Sequence, residues 1–138
     1  MAEQPENNYR EMLDRFAEVP IMKTLDLALV AVDAGSATMR MPYKRAFDGI
    51  FASLHGGLMM TLADTAACVA VLTLAGASAR ITTTDMNIRF LKACQTDCTA
   101  QARVIKFGRT LSPVEVQLHD ADNSLVAIAQ VTYMRLAG

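Results

Sequence analysis

Leu54-His55-Gly56-Gly57-Leu58-Met59-Met60-Thr61-Leu62-Ala63-Asp64-Thr65-Ala66-Ala67 is an almost wholly apolar run that carries one carboxylate. At 3.6 residues per turn its apolar residues fall on nearly every side, so it reads as a helix to be wrapped by other structure. The run continues to about residue 74, where Gly76-Ala77-Ser78 ends it. The glycine pair falls in the first turn, and His55 stands just ahead of it. A helix N-terminus presents unpaired N–H groups and partial positive charge, which suits a developing oxyanion. An aspartate in apolar company is a candidate base or nucleophile. The two features together point to acyl-transfer chemistry.

Helix geometry restricts how they cooperate. His55 and Asp64 are nine residues apart, which means about 900° of rotation, roughly 180° net, and about 13 Å of rise. Within one chain they face opposite sides and do not converge on one atom. If both serve one site, two copies of the helix must lie side by side in opposite directions. One copy then supplies the amide end and the other the carboxylate, as in a two-fold dimer with shared sites.

The flanking sequence supplies the wrapping. Residues 1–8 are polar, a tail without a core pattern, and Met12, Leu13 and Phe16 fit a short helix over 9–18 that Pro20 stops. Leu25, Leu27, Leu29 and Ala31 repeat at period two, a strand over 25–33. Asp33-Ala34-Gly35-Ser36 is a hairpin turn into a second strand over 37–41, ended by Pro42. After a loop at 43–54 and the long helix come four strands, at 81–92, 99–107, 110–119 and 124–136. Val114, Val116 and Leu118 alternate there with Glu115, Gln117 and His119, a half-buried pattern. Phe107-Gly108-Arg109 and Asp120-Ala121-Asp122-Asn123 are turn signals. The class expected is α+β, a curled antiparallel sheet around one long central helix.

Bulk properties narrow the function. The 138 residues suit one domain, 1–138, with residues 1–20 as tail and short helix. A net charge of −1 argues against a general nucleic-acid binder. Between Arg80 and Arg109, however, six Lys/Arg face only Asp85 and Asp97, an excess suited to phosphates or to solvated strand faces. Cys68, Cys94 and Cys98 make no disulfide framework and no secretory signal is seen, so the cytoplasm is expected. Cys94-x3-Cys98, with two histidines in the chain, is a poor zinc ligand set, and no metal is expected. The nine methionines read as core fillers. The apolar run at 58–75 nears bilayer-spanning length, but Asp64 in its middle and the lack of a Lys/Arg collar favour a buried helix over a membrane span.

Four fragments in register carry a family resemblance: Leu54-His55-Gly56-Gly57, Leu62-Ala63-Asp64, Thr84-Asp85-Met86-Asn87-Ile88 and Lys106-Phe107-Gly108-Arg109-Thr110. From about residue 20 to 136 the chain resembles the hotdog-fold acyl-CoA thioesterases, in particular the PaaI-type branch. The resemblance implies a catalytic carboxylate at Asp64 and a carbonyl-polarising backbone N–H at Gly56. It puts a hydroxyl lining the site at Thr83, with Thr82 the alternative one residue away. It implies coenzyme A contacts at Phe90 and Lys92 and at Phe107, Gly108, Arg109 and Thr110. Gly57 permits a substrate's close approach to the backbone. His55 is either a general base or the residue that fixes the turn before Gly56. Related members carry Asn or Gln six residues before that histidine, where this chain has Gly49 beside Asp48.

The function implied is hydrolysis of an acyl-CoA thioester to a free acid and coenzyme A by a homodimer or a dimer of dimers. No cofactor beyond the substrate's own coenzyme A is expected, and no nucleic-acid or membrane partner. The alternatives are an acyl-CoA-binding protein without turnover, favoured by Gly49, and a hotdog dehydratase or hydratase, whose His-x-x-Pro-Gly segment or Asp/His pair is not seen.

Overall fold

Six antiparallel strands curl around one helix in the computed structural model, which describes residues 9–137. The polar tail at residues 1–8 lies outside the described residues. Two short helices, α1 (Arg10–Ala17) and α2 (Pro20–Thr24), precede the hairpin of β1 (Ala28–Asp33) and β2 (Ser36–Met41). A single 3-10 turn at Arg45–Phe47 leads to α3 (Gly56–Ala75). Then follow β3 (Ile81–Phe90), β4 (Cys98–Val104), β5 (Leu111–His119) and β6 (Leu125–Arg135). The sheet order is β1-β2-β4-β5-β6-β3, which leaves β1 and β3 as its edges.

Alternation drives the curl. Ser112, Val114, Val116 and Leu118 of β5 are buried while Glu115 and Gln117 point away. β4 gives Cys98, Ala100 and Ala102 to the same face. These small side chains meet the alanine-rich side of α3, including Ala63, Ala66, Ala67 and Ala70, so helix and sheet approach closely. Met12, Met22, Met39, Met41 and Met59 fill the remaining space and are buried, as expected of them. α3 is long and apolar enough to cross a membrane, yet it packs against all six strands.

The structure departs from the sequence expectations at several boundaries. Pro20 does not merely end the first helix; it starts α2 at a position where its missing N–H costs nothing. Leu25 caps α2, and Asp26 adopts φ +54, so the strand expected from 25 begins at Ala28. Residues 105–110, expected to be split between two strands, form their connection. His119, at the end of β5, is half-buried. The helix is not wrapped on every side either. Thr61, Asp64, Thr65 and Cys68 form a half-open strip along α3.

Candidate active site

Asp64 is held by two hydroxyls from the inner face of the sheet. Thr83 donates to Asp64 Oδ1 at 2.7 Å. The buried Tyr133 hydroxyl lies 2.8 Å from the same oxygen and 3.0 Å from the Asp64 backbone carbonyl. Oδ2 receives no donor from the described residues, and Asp64 lines a groove of about 460 Å³. One oxygen is therefore anchored and the other is free to take a proton or attack. Burial raises the Tyr133 hydroxyl well above its ordinary value, so it remains a donor. Burial likewise pushes the Cys68 thiol up to about 11, which keeps it neutral one turn along the helix.

The register of β3 decides which threonine takes part. Strict alternation back from Met86, which faces the helix, would turn Thr84 and Thr82 inward. A bulge between Thr83 and Asp85 inserts Thr84, and Thr83 then pairs with Tyr133 on the inner face. Thr82 is exposed.

The start of α3 is built differently. His55 is its N-cap, and its Nδ1 accepts the Gly57 N–H at 3.0 Å. That bond puts the ring proton on Nε2 and gives His55 a turn-fixing role. A Cβ at Gly57 would lie 3.1 Å from the His55 ring, so glycine lets the cap close. The Gly56 N–H, at the first helical position, has no acceptor among the described residues. The half-exposed Phe90 ring leans over Gly56, where a Cβ would sit 3.0 Å from Phe90 Cζ. Gly56, Phe90 and Lys92 line one hollow of about 390 Å³ together with Cys94. Lys92 Nζ also reaches Asp120 Oδ2 at 3.4 Å. Arg89 points instead to the outer face of the sheet, where it lines a different hollow with Asn87, Glu115 and Gln130 that does not include Asp64.

Gly49 sits against His55, and a Cβ there would have ordinary contacts at 3.7 Å. It supplies no amide. Its neighbour Asp48 accepts from the Tyr43 hydroxyl through Oδ2 at 2.9 Å, while Oδ1 is buried without a partner. The expected coenzyme A contacts divide between two places. Phe107, Gly108, Arg109 and Thr110 form the β4–β5 connection, whose Gly108 is obligatory because a Cβ would lie 2.2 Å from the Leu111 carbonyl oxygen. Arg135 stacks 4.4 Å from the Phe107 ring centroid and donates to the Gly108 carbonyl at 2.6 Å, fixing this hairpin to the end of β6. Phe90 pairs with Ala127 and Thr83 with Tyr133, so about 20 Å of strand separates them.

Within one protomer the candidate residues therefore fall into two separate groups. Asp64, Thr83 and Tyr133 gather at the end of β6 that also holds the 107–110 hairpin. Gly56, Phe90 and Lys92 gather at the other end, and the two hollows share no residue. Sequence reasoning missed Tyr133, which it absorbed into a strand. The available signal was a phenol at a core-facing position, since a buried hydroxyl needs a partner and α3 offers one carboxylate.

A sheet curled around a central helix, with an acid in mid-helix and a bare amide at its start, defines the hotdog class. The chain belongs to the thioesterase superfamily, whose sequence model matches residues 51–127. A candidate esterase of Saccharolobus solfataricus is 33% identical over 110 residues, covering 79% of this chain and 78% of that protein. The crystal structure of a thioesterase family protein from Silicibacter pomeroyi superposes with a TM-score of 0.88 at 29% identity, over 95% of this chain and 99% of that one. The E. coli PaaI protein from the phenylacetic acid degradation operon shares the fold, with a TM-score of 0.88 at 20% identity over 99% and 98% of the two chains.

Proposed function

We propose that this hydrolase splits acyl-CoA thioesters into a free carboxylic acid and coenzyme A, at sites shared between two copies of the chain. The reading rests on one observation: Asp64 has one anchored and one free carboxylate oxygen, while the unpartnered Gly56 N–H opens into a different hollow. Two helices running in opposite directions bring the acid of one to the amide of the other. The exposed edge of β3 and the apolar tip Ile50-Phe51, 90% and 83% exposed, support self-association.

In the step proposed, Asp64 Oδ2 takes a proton from water as its oxygen attacks the thioester carbonyl. The carbonyl oxygen gains charge against the partner's Gly56 N–H, a donor worth about 3 kcal/mol in comparable sites. Collapse expels the coenzyme A sulfur, which recovers the proton from Asp64. Direct attack by Asp64, through an anhydride that water then opens, uses the same groups. Phe90, Lys92 and the 107–110 hairpin are assigned to coenzyme A, with Lys92 shared between Asp120 and a phosphate. The free cysteines suit a reducing compartment such as the cytoplasm.

Release of free thiol from a panel of acyl-CoAs is the test. Asp64→Asn is expected to lower kcat on the order of 10²- to 10⁴-fold with the oligomer intact by size exclusion. Co-refolding Asp64→Asn with Gly56→Pro chains regenerates one intact site in each mixed dimer, about a quarter of wild-type activity in a random mixture. No recovery rejects shared sites. The absence of amide at Gly49 favours a binder without turnover, and that reading wins if acyl-CoA binds but no thiol is released.

A further inference from the structure

The groove at Asp64 continues past the acid. On α3 it is lined by Asp64, Thr65, Cys68 and Leu72, which share one face of the helix. From Asp64 to Leu72 is eight residues, about 12 Å of helix. Apart from Arg15 and Arg80, the polar side chains of the wall are Asp64, Thr65 and Tyr133, which lie together at the acid end. Beyond Cys68 the wall is apolar, with Phe16, Val19 and Ile21 of the N-terminal segment facing Ile81 and Leu136. Ile21 and Leu136 remain 42% and 38% exposed, so nothing among the described residues covers this surface. Arg15 and Arg80 mark the rim, and Arg15 donates to the Ala77 carbonyl, tying α1 to the end of the groove farthest from Asp64.

Building on the hydrolase reading, we infer that this groove receives the acyl group, and that its shape selects a straight aliphatic chain of medium length. The thioester lies at Asp64 and the chain runs along α3 with its methyl end near Leu72. A fully extended acyl group of about eight to ten carbons matches the 12 Å run, whereas a single aromatic ring would fill only its inner part. The cavity of about 460 Å³ has room for such a chain. Cys68 stands one turn beyond the acid and acts as the gauge. Its thiol stays neutral, which keeps that wall apolar.

The test compares acetyl-, butyryl-, hexanoyl-, octanoyl-, decanoyl-, dodecanoyl- and phenylacetyl-CoA. kcat/KM is expected to rise by up to about fourfold per methylene, the equivalent of about 0.8 kcal/mol each, and to level off near ten carbons. Cys68→Phe should lower the octanoyl-to-acetyl ratio of kcat/KM at least tenfold. Cys68→Ala, which removes bulk and keeps the fold, should move the plateau past ten carbons, so that dodecanoyl-CoA is turned over faster than decanoyl-CoA. A flat series, a preference for phenylacetyl-CoA over octanoyl-CoA, or ratios unmoved by both substitutions overturns the inference. Binding of octanoyl-CoA and acetyl-CoA to Asp64→Asn protein separates the two claims. Tighter octanoyl-CoA binding without hydrolysis by the wild type sinks the hydrolase and keeps the groove. Hydrolysis with equal binding does the reverse.

Discussion

The two ends of β3 differ in kind. At the Thr83 end two hydroxyls converge on one carboxylate oxygen and hold it in place. At the Phe90 end a backbone N–H is bare, an aromatic ring is half exposed, and a lysine reaches into water. The first end has an acid without a donor for a carbonyl oxygen, and the second has that donor without an acid. On the reading proposed above, each end would be one part of a thioesterase site and the assembly, not the protomer, the chemical unit.

Substitutions at the two ends should separate these roles. Gly56→Pro removes the N–H, yet proline is well suited to the first helical position and His55 already has the extended backbone that must precede it. Gly56→Ala adds the same Cβ beside Phe90 but keeps the donor. kcat for the proline variant is expected to fall about 10²- to 10³-fold below that of the alanine variant. Equal rates would remove Gly56 from the oxyanion role. At the other end, Tyr133→Phe deletes one donor to Asp64 and leaves Thr83 in place. Thermal unfolding should register a loss of about 1–2 kcal/mol and kcat a drop of roughly tenfold, with KM little changed.

Smaller effects are expected at the rim of the Phe90 end. Lys92→Ala should raise KM by about fivefold or less, as for an exposed ion pair, and added salt should erase the difference. The Asp120 carboxylate is held below its usual range by the Ser124 N–H, with help from Lys92 and the Asp122 N–H. A depressed acid stabilises the fold fully above the unfolded aspartate value of about 3.9 and loses that contribution as pH falls through the lower folded value. The Tm gap between wild type and Asp120→Asn should therefore be widest near pH 6 and narrow below pH 4. A gap independent of pH would mean that the carboxylate charge plays no part.

What could be read from the chain follows from how local each cause is. α3 was legible because a mostly apolar twenty-residue run with a glycine stop allows little else, and β5 because its alternation is clean. The hairpin at Gly35, with φ +77, and the turn ending at Asn123, with φ +62, announce themselves by residue type. α2 was hidden, since Pro20 serves equally to end one helix and to begin another. Thr82, Thr83 and Thr84 are identical in chemistry, so nothing local reports which one faces Asp64; the pairing with β6 decides it. Tyr133 escaped for the same reason, because its role depends on a partner 69 positions earlier in the chain. The separation of Gly56 from Asp64, by contrast, follows from helix pitch alone.

The bulge at Thr84 gives β3 some slack in its length. With no counterpart across the ladder, that residue can be lost and Thr83 still stands opposite Tyr133, because the strand on either side already keeps step with β6. A protein one residue shorter here would straighten locally and present the same hydroxyl to the same acid. Insertions and deletions that would scramble any other stretch of this strand can be absorbed at Thr84 alone.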